Sequence, residues 1–210
     1  MRASPLAICV IAVTALAGSF PARGEAIERI WLSHSRTAET VVVSWQTKEP
    51  NESVVEFGPA PNQLDGRASQ LARTTLHHLE VPLLSRGELH YRVRSGEHIS
   101  AVHRVRDAPG AEFRVVVVGN AGYAQRPWGE AVLGARPHLL VFSGDLVPAL
   151  HLNGRATTPD DTSAFGRLIE SAPELFRSTP ILAVLGNHDR EFRSARRDCF
   201  RRRDSAVERK

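Results

Sequence analysis

The chain has 210 residues, of which 42% are hydrophobic and 24% charged, a composition that excludes a disordered chain and leaves room for one large or two small domains. The formal net charge is +4, yet nine of the 27 basic residues and only four of the 23 acidic ones fall between Arg190 and Lys210. Without that tail the body stands at −1, so the basic balance argues for no nucleic-acid partner.

The first 26 residues read as an export signal. Arg2 supplies a positive start, and Leu6 to Ala17 is an apolar run of the length of a signal core, too short to cross a bilayer. Small residues at Gly18, Ser19, Gly24 and Ala26 offer cleavage points, and cleavage after Ala26 is expected. The alternative is an uncleaved anchor or a buried N-terminal strand. Cleavage implies a secreted or periplasmic protein with no further membrane association. Cys9 would leave with the signal, so Cys199 would remain alone and no internal disulfide is expected.

Residues 27–110 read as a series of short strands. Val41 to Trp45 is β-branched and aromatic and runs into the polar stretch Lys48 to Glu52. Ser53 to Phe57 follows, closed by Gly58-Pro59-Ala60-Pro61. Then come Thr74 to Leu84, His90 to Arg94, and Ile99 to Val105, separated by Arg86-Gly87 and Ser95-Gly96. Short runs with such punctuation indicate a β-sandwich, with Trp45 and Tyr91 as its large core residues. His77, His78 and Glu80 could suggest a metal site. Neighbours on a strand point to opposite faces, so a solvated strand face is the better reading.

From residue 111 the pattern changes. Phe113 to Val118 is a nearly continuous apolar strand, as expected where both faces are covered. Trp128 to Ala135 is a predicted helix, Leu139 to Phe142 a second buried strand. Asp161 to Phe176 is predicted as one helix, with Asp161 as N-cap and Phe165, Leu168, Ile169 and Leu175 near one face. Ile181 to Leu185 is a third buried strand. The order βαβαβ implies a parallel sheet. Gly119-Asn120, Gly144-Asp145 and Gly186-Asn187-His188-Asp189 each follow one of these strands immediately, where parallel sheets bind ligands. Asn120, Asp145, Asn187 and His188 are therefore expected on one rim. Oxygen and imidazole donors suit hard to borderline cations, and a carboxylate such as Asp145 can bridge two of them. Two bridged ions can clamp a phosphoryl group and activate a water. Singly, a Gly-Asp after a strand is better explained by a turn or a helix cap.

Gly144-Asp145 and Gly186-Asn187-His188-Asp189 resemble the second and third signature blocks of the calcineurin-like metallophosphoesterases. With Ile30-Trp31-Leu32-Ser33, Val42 to Thr47 and Val55-Glu56-Phe57-Gly58 in front, the resemblance is to their purple acid phosphatase branch, from about Ile30 to Arg190. It implies a fibronectin III-like β-sandwich over 27–110, followed over 111–190 by a truncated α/β metallophosphoesterase domain with a parallel βαβαβ sheet. It also implies a phosphate ester substrate and two metal ions, iron with zinc, manganese or a second iron. Asp145 would bridge the metals, Asn187 would bind the second, and His188 would stabilise the transition state or protonate the leaving group.

The departures from the family weigh equally. Asn120 stands where the family has a metal-binding Asp, a degenerate position that donates less charge. Pro148 stands where the purple branch has a Tyr, and Gly122 where the non-purple enzymes have a His. His151 reads as a solvated loop histidine. The family's further histidine ligands lie well downstream of the Gly-Asn-His block, beyond the residues present here. Residues 191–210 are charge-dense without apolar period and read as a disordered basic tail. The abrupt change near Arg190 reads as a shifted or truncated reading frame. Three functions follow: an acid phosphatase impaired by Asn120 and the missing histidines, a catalytically inactive binding module of the same ancestry, or a fragment with an incomplete core.

Overall fold

The computed structural model describes residues 27–106, 112–124, 127–148 and 163–189. The expected export signal, His151, the Asp161 cap, Cys199 and the basic tail lie outside the described residues. The described chain is mostly β-sheet with few helices: one mixed nine-stranded sheet in the order β5-β4-β2-β1-β9-β8-β7, with β3 paired to β2 and β6 to β4.

The first six strands are β1 (Ile27–His34), β2 (Thr40–Gly58), β3 (Gly66–Pro82), β4 (Leu89–Ser95), β5 (His98–Ile99) and β6 (His103–Val105). The polar stretch Lys48 to Glu52, expected to separate two strands, instead lies inside β2. Strand β3 runs beside β2 almost from end to end, and register shifts between Gln46 and Asn51 and between Asn51 and Ser53 absorb the irregular segment. Pro50 is tolerated there because a bulge spares its missing N–H. The first half of β2 pairs with β1 on its other side and the second half with β4. Val41, Val43 and Trp45 from the first half nevertheless share one core cluster with Val55 from the second half and with Tyr91 and Val93 of β4. The bent hairpin thus folds around a common interior. Trp45 and Tyr91, the expected core residues, are fully buried.

The second region contains β7 (Val115–Val118), α1 (Gly129–Gly134), β8 (Leu139–Phe142), α2 (Ser163–Ser171), α3 (Pro173–Ser178) and β9 (Ile181–Ala183). Strands β7, β8 and β9 pair in parallel, as expected from the alternation of elements. The single helix expected over 161–176 is broken. Ala172 has φ −148° and Pro173 opens α3, since proline lacks the N–H a continuing helix needs and disfavours helical geometry in the residue before it. Strand β9 is also shorter than expected.

A second correction concerns burial. Val116, Val118, Leu140, Phe142 and Ile181 pack on one side of the parallel strands against Ile169, Leu175 and Phe176 of the helices. Val115 and Val117, on the other side, are 40% and 63% exposed. Among the described residues, strand β7 is covered on one face, not two. The regions meet through β1. Its Ile30 and Leu32 enter the first core while Trp31, pointing the other way, packs against the second. A single pair, Ser33 with Ile181, joins β1 to β9. Tyr91 Oη donates to the Arg177 carbonyl at 2.6 Å, and burial pushes its phenol pKa up, keeping it a donor.

Candidate functional site

The three glycine-led turns do meet. Parallel strands end on the same rim, so turns leaving β7, β8 and β9 are neighbours by construction. Asn120 N–H donates to the Gly144 carbonyl at 3.1 Å, tying the first tip to the second. His188 N–H donates to Asp145 Oδ1 at 3.0 Å, tying the third to the second. Asn120 and Asp145 both have φ 53°, and Gly144 has φ 114°. Asn and Asp enter the left-handed region more readily than most residues, though still at a cost that tends to be tolerated at functional sites.

Gly186 is dictated by proximity. A Cβ there would stand 2.1 Å from Asp145 Oδ1 and 2.4 Å from the Asp145 nitrogen. Any side chain at 186 would push the carboxylate away from the His188 amide.

Asp189 organises the rim, a role not assigned from the sequence. It is 4% exposed, and its carboxylate accepts Leu146 N–H and Val147 N–H at 3.1 Å and Gly186 N–H at 2.9 Å. Three backbone donors on one buried carboxylate clamp the β8 turn to the β9 turn. The signal was available: an Asp closing a Gly-Asn-His-Asp run after a strand can reach back to cap its own turn.

His188 is exposed, and its Nδ1 lies 3.0 Å from the Pro148 carbonyl. A carbonyl only accepts, so Nδ1 carries the proton. Asn120 and Asn187 are exposed at the rim, and neither side chain has a hydrogen bond among the described residues.

Gly122 and Pro148 lie against each other. A Cβ on Gly122 would come within 2.6 Å of Pro148 Cδ. It would equally meet the Pro148 nitrogen and the Val147 carbonyl carbon at 2.6 Å, so this backbone leaves no room for a side chain at 122. Beside them, a cavity of about 440 Å3 opens between Trp128, Leu146, Val147 and α2. Among the described residues its one charged wall residue is Arg167, and none of Asn120, Asp145, Asn187 or His188 lines it.

Among the described residues the donor set falls short of a two-metal centre. No group of three or more His, Cys, Asp or Glu side chains is placed to hold a metal among the described residues. Asp189 is consumed by backbone amides, and Asp145 leaves a single carboxylate among two neutral amides and one imidazole. One negative charge does not compensate two multivalent cations.

The imagined site on β3 is resolved differently. His77 is buried, correcting the expected solvated face: it stacks on Trp45 at 4.7 Å between ring centroids and is held by Thr47 at 2.9 Å and Ser53 at 2.7 Å. His78 faces the other way, against Ser44 and the edge of Trp31. The two rings share no ligand.

No family model matches the chain, and no curated protein matches it in sequence. Among solved structures it is similar to PhoD, with a TM-score of 0.59 and 13% identity over 80% of this chain and 40% of that one. It is likewise similar to PPD1, a purple acid phosphatase from yellow lupin (Lupinus luteus) seeds, with a TM-score of 0.62 and 15% identity over 80% of this chain and 36% of that one. At these identities the likeness is one of fold: the described residues have a phosphoesterase-like fold. The chain spans about two-fifths of either protein's length.

Proposed function

We propose that this chain carries the strand-tip half of a metal-dependent phosphoric monoester hydrolase of acid phosphatase type. In this reading residues 27–110 are its fibronectin-like module, residues 111–190 the first part of its catalytic domain, and residues 1–26 direct export. The observation that carries the reading is the convergence of three successive strand tips, with His188 N–H on the Asp145 carboxylate and Gly186 excluded from bearing a side chain by that carboxylate.

Each rim residue has a task its surroundings suit. Asp145 is the anionic anchor of the rim. Asn120 and Asn187 offer amide oxygens to a cation or amide N–H groups to a phosphoryl oxygen. His188, with Nδ1 committed to the Pro148 carbonyl, exchanges protons at Nε2 and so serves a leaving-group oxygen. The family's iron with zinc, manganese or a second iron would supply Lewis acidity and an activated water. The donors among the described residues do not balance such a pair, so this reading expects weak turnover of phosphate esters or none.

Metal analysis and hydrolysis of a chromogenic phosphate ester test this. The expected outcome is substoichiometric metal and marginal turnover, both raised by Asn120→Asp and both abolished by Asp145→Ala. Turnover that survives Asp145→Ala, or metal content indifferent to both substitutions, would remove the phosphatase reading. A second reading, an inactive binding module, is favoured by the Gly122–Pro148 contact, which fills the space a ligand side chain would need. Asn120→Asp separates the two, because a dedicated binding module gains neither metal nor turnover from it.

A further inference from the structure

At the far end of the parallel strands from the tips, a second cleft opens between the β4–β6 edge and the connection from α1 to β8. Its volume is about 420 Å3, and Pro137 and Thr179, just ahead of β8 and β9, lie in its wall. The length of the strands, roughly 10 Å or more, separates it from Asp145.

Its charge is one-sided. Arg104, Arg106, Arg136 and Arg177 face it, against Glu88 and Glu174. Glu88 is divided between Arg104 at 3.1 Å and Arg136 at 3.5 Å, and Glu174 pairs with Arg177 at 3.1 Å. Arg106 has no carboxylate partner among the described residues; its Nη1 donates to the Arg136 carbonyl at 2.5 Å. That contact braces Arg136, which sits at φ 50° in the left-handed region. Four guanidinium groups against two carboxylates leave the cleft with an excess of positive charge and of N–H donors.

We propose that this cleft binds a phosphate-class oxyanion, orthophosphate or the head group of a phosphomonoester, with Arg106 and Arg136 as its principal donors. Guanidinium groups present planar forks that match tetrahedral oxyanions with two parallel hydrogen bonds. The volume lies at the small end for ligand sites, ample for orthophosphate and tight for a nucleotide. The site is separate from the strand-tip rim and stands or falls without it.

Isothermal titration of the full chain in EDTA, with orthophosphate, citrate and chloride as titrants, tests the proposal. The expected result is one phosphate site, weakened at least tenfold by Arg106→Gln and by Arg136→Gln and unchanged by Asp145→Ala. A second measurement needs no variant: orthophosphate should protect Arg106 and Arg136 from phenylglyoxal, read by mass spectrometry. The proposal is overturned if phosphate binds no better than chloride, if citrate binds and phosphate does not, or if protection falls on other arginines. It is overturned equally if binding survives both arginine substitutions or disappears in Asp145→Ala, which would assign the anion to the strand tips.

Discussion

The bent hairpin region and the parallel region are both built on sheets, but only the first is sealed. Around Trp45 and Tyr91, residues from both halves of β2 and from β1, β4 and β6 close on one another, and the large side chains are fully buried. In the parallel region Leu140 and Phe142 are equally buried beneath the helices, while Val117 and Val184 on the opposite side are 63% and 60% exposed. An apolar strand pattern states how much covering a sheet needs; it does not supply the cover. The hairpin finds its second layer within its own length. The parallel strands find one of their two within the described residues.

The sharpest way to break this contrast is to excavate each core in turn. Trp45 is stacked on His77, and its Nε1 donates to Ser95 at 2.9 Å. Trp45→Ala should cost about 3–5 kcal/mol, a large share of the stability of a domain this size. Because β1 serves both cores through Trp31 and its pairing with β9, its loss should spread. Hydrogen exchange should show lost protection in β7–β9 as well as in β1–β6. Phe142→Ala, of similar cost, should deprotect β7–β9 alone. Equal spread from both substitutions would mean that the regions are one cooperative unit and the contrast is only geometric.

A pH titration probes the sealed side next. Burial, and secondarily the neighbouring His78, lowers the His77 pKa to about 4 from its usual 6.5. The fold favours the neutral ring, so between those values the unfolded chain binds more protons. Stability is fully present above pH 6.5 and falls as pH drops through 6.5 toward 4, by about 3 kcal/mol at most. His78 is shifted in the same direction by burial and adds to the slope. Urea midpoints at pH 7.5 and 4.5 should differ, and His77→Gln should flatten the difference. An unchanged slope in that variant would show that His77 is not the group responsible.

On the rim, removing the Asp189 carboxylate leaves three backbone N–H groups without their acceptor. Asp189→Ala should cost about 1–3 kcal/mol, concentrated at the Leu146, Val147 and Gly186 amides, whose exchange should accelerate while β2 and β4 amides keep their rates. Uniform acceleration across the chain would mean that Asp189 supports the whole fold and not the rim in particular.

How much of this was legible varies with the range of the forces involved. The strand tips were readable because a glycine-led polar turn after each apolar run is local, and consecutive parallel strands deliver such turns to one rim. The bend in β2 was not, because Lys48 to Glu52 reads as a loop until β3 is known to run beside it. The break before Pro173 was present in the sequence, but the apolar period of Phe165, Leu168, Ile169 and Leu175 spoke over it. His77 looked solvated beside His78. Its burial depends on Thr47 and Ser53, which meet it only across the hairpin. The bare face of β7 was the least legible, since a run of four valines says nothing about what lies above it.

That face gives the smallest effect on stability and the most direct test of the contrast. Register places Val115 and Val117 of β7 beside Leu139 and Val141 of β8, and Val141 beside Leu182 of β9, so all point to one side. Exposed apolar side chains contribute little burial energy, and changing them should alter folding stability by no more than about 0.5 kcal/mol. Contiguous apolar surface does, however, bind hydrophobic dyes and promote association. A Val117→Thr, Val184→Thr double variant should therefore unfold at nearly the same urea concentration while binding less anilinonaphthalene sulfonate and staying soluble to higher concentration. Leu140→Ala, on the covered side of the same strands, should instead cost about 2–5 kcal/mol. If the threonine pair destabilises the chain as much as Leu140→Ala does, the outer face is packed in solution, and the two regions differ less than their exposures suggest.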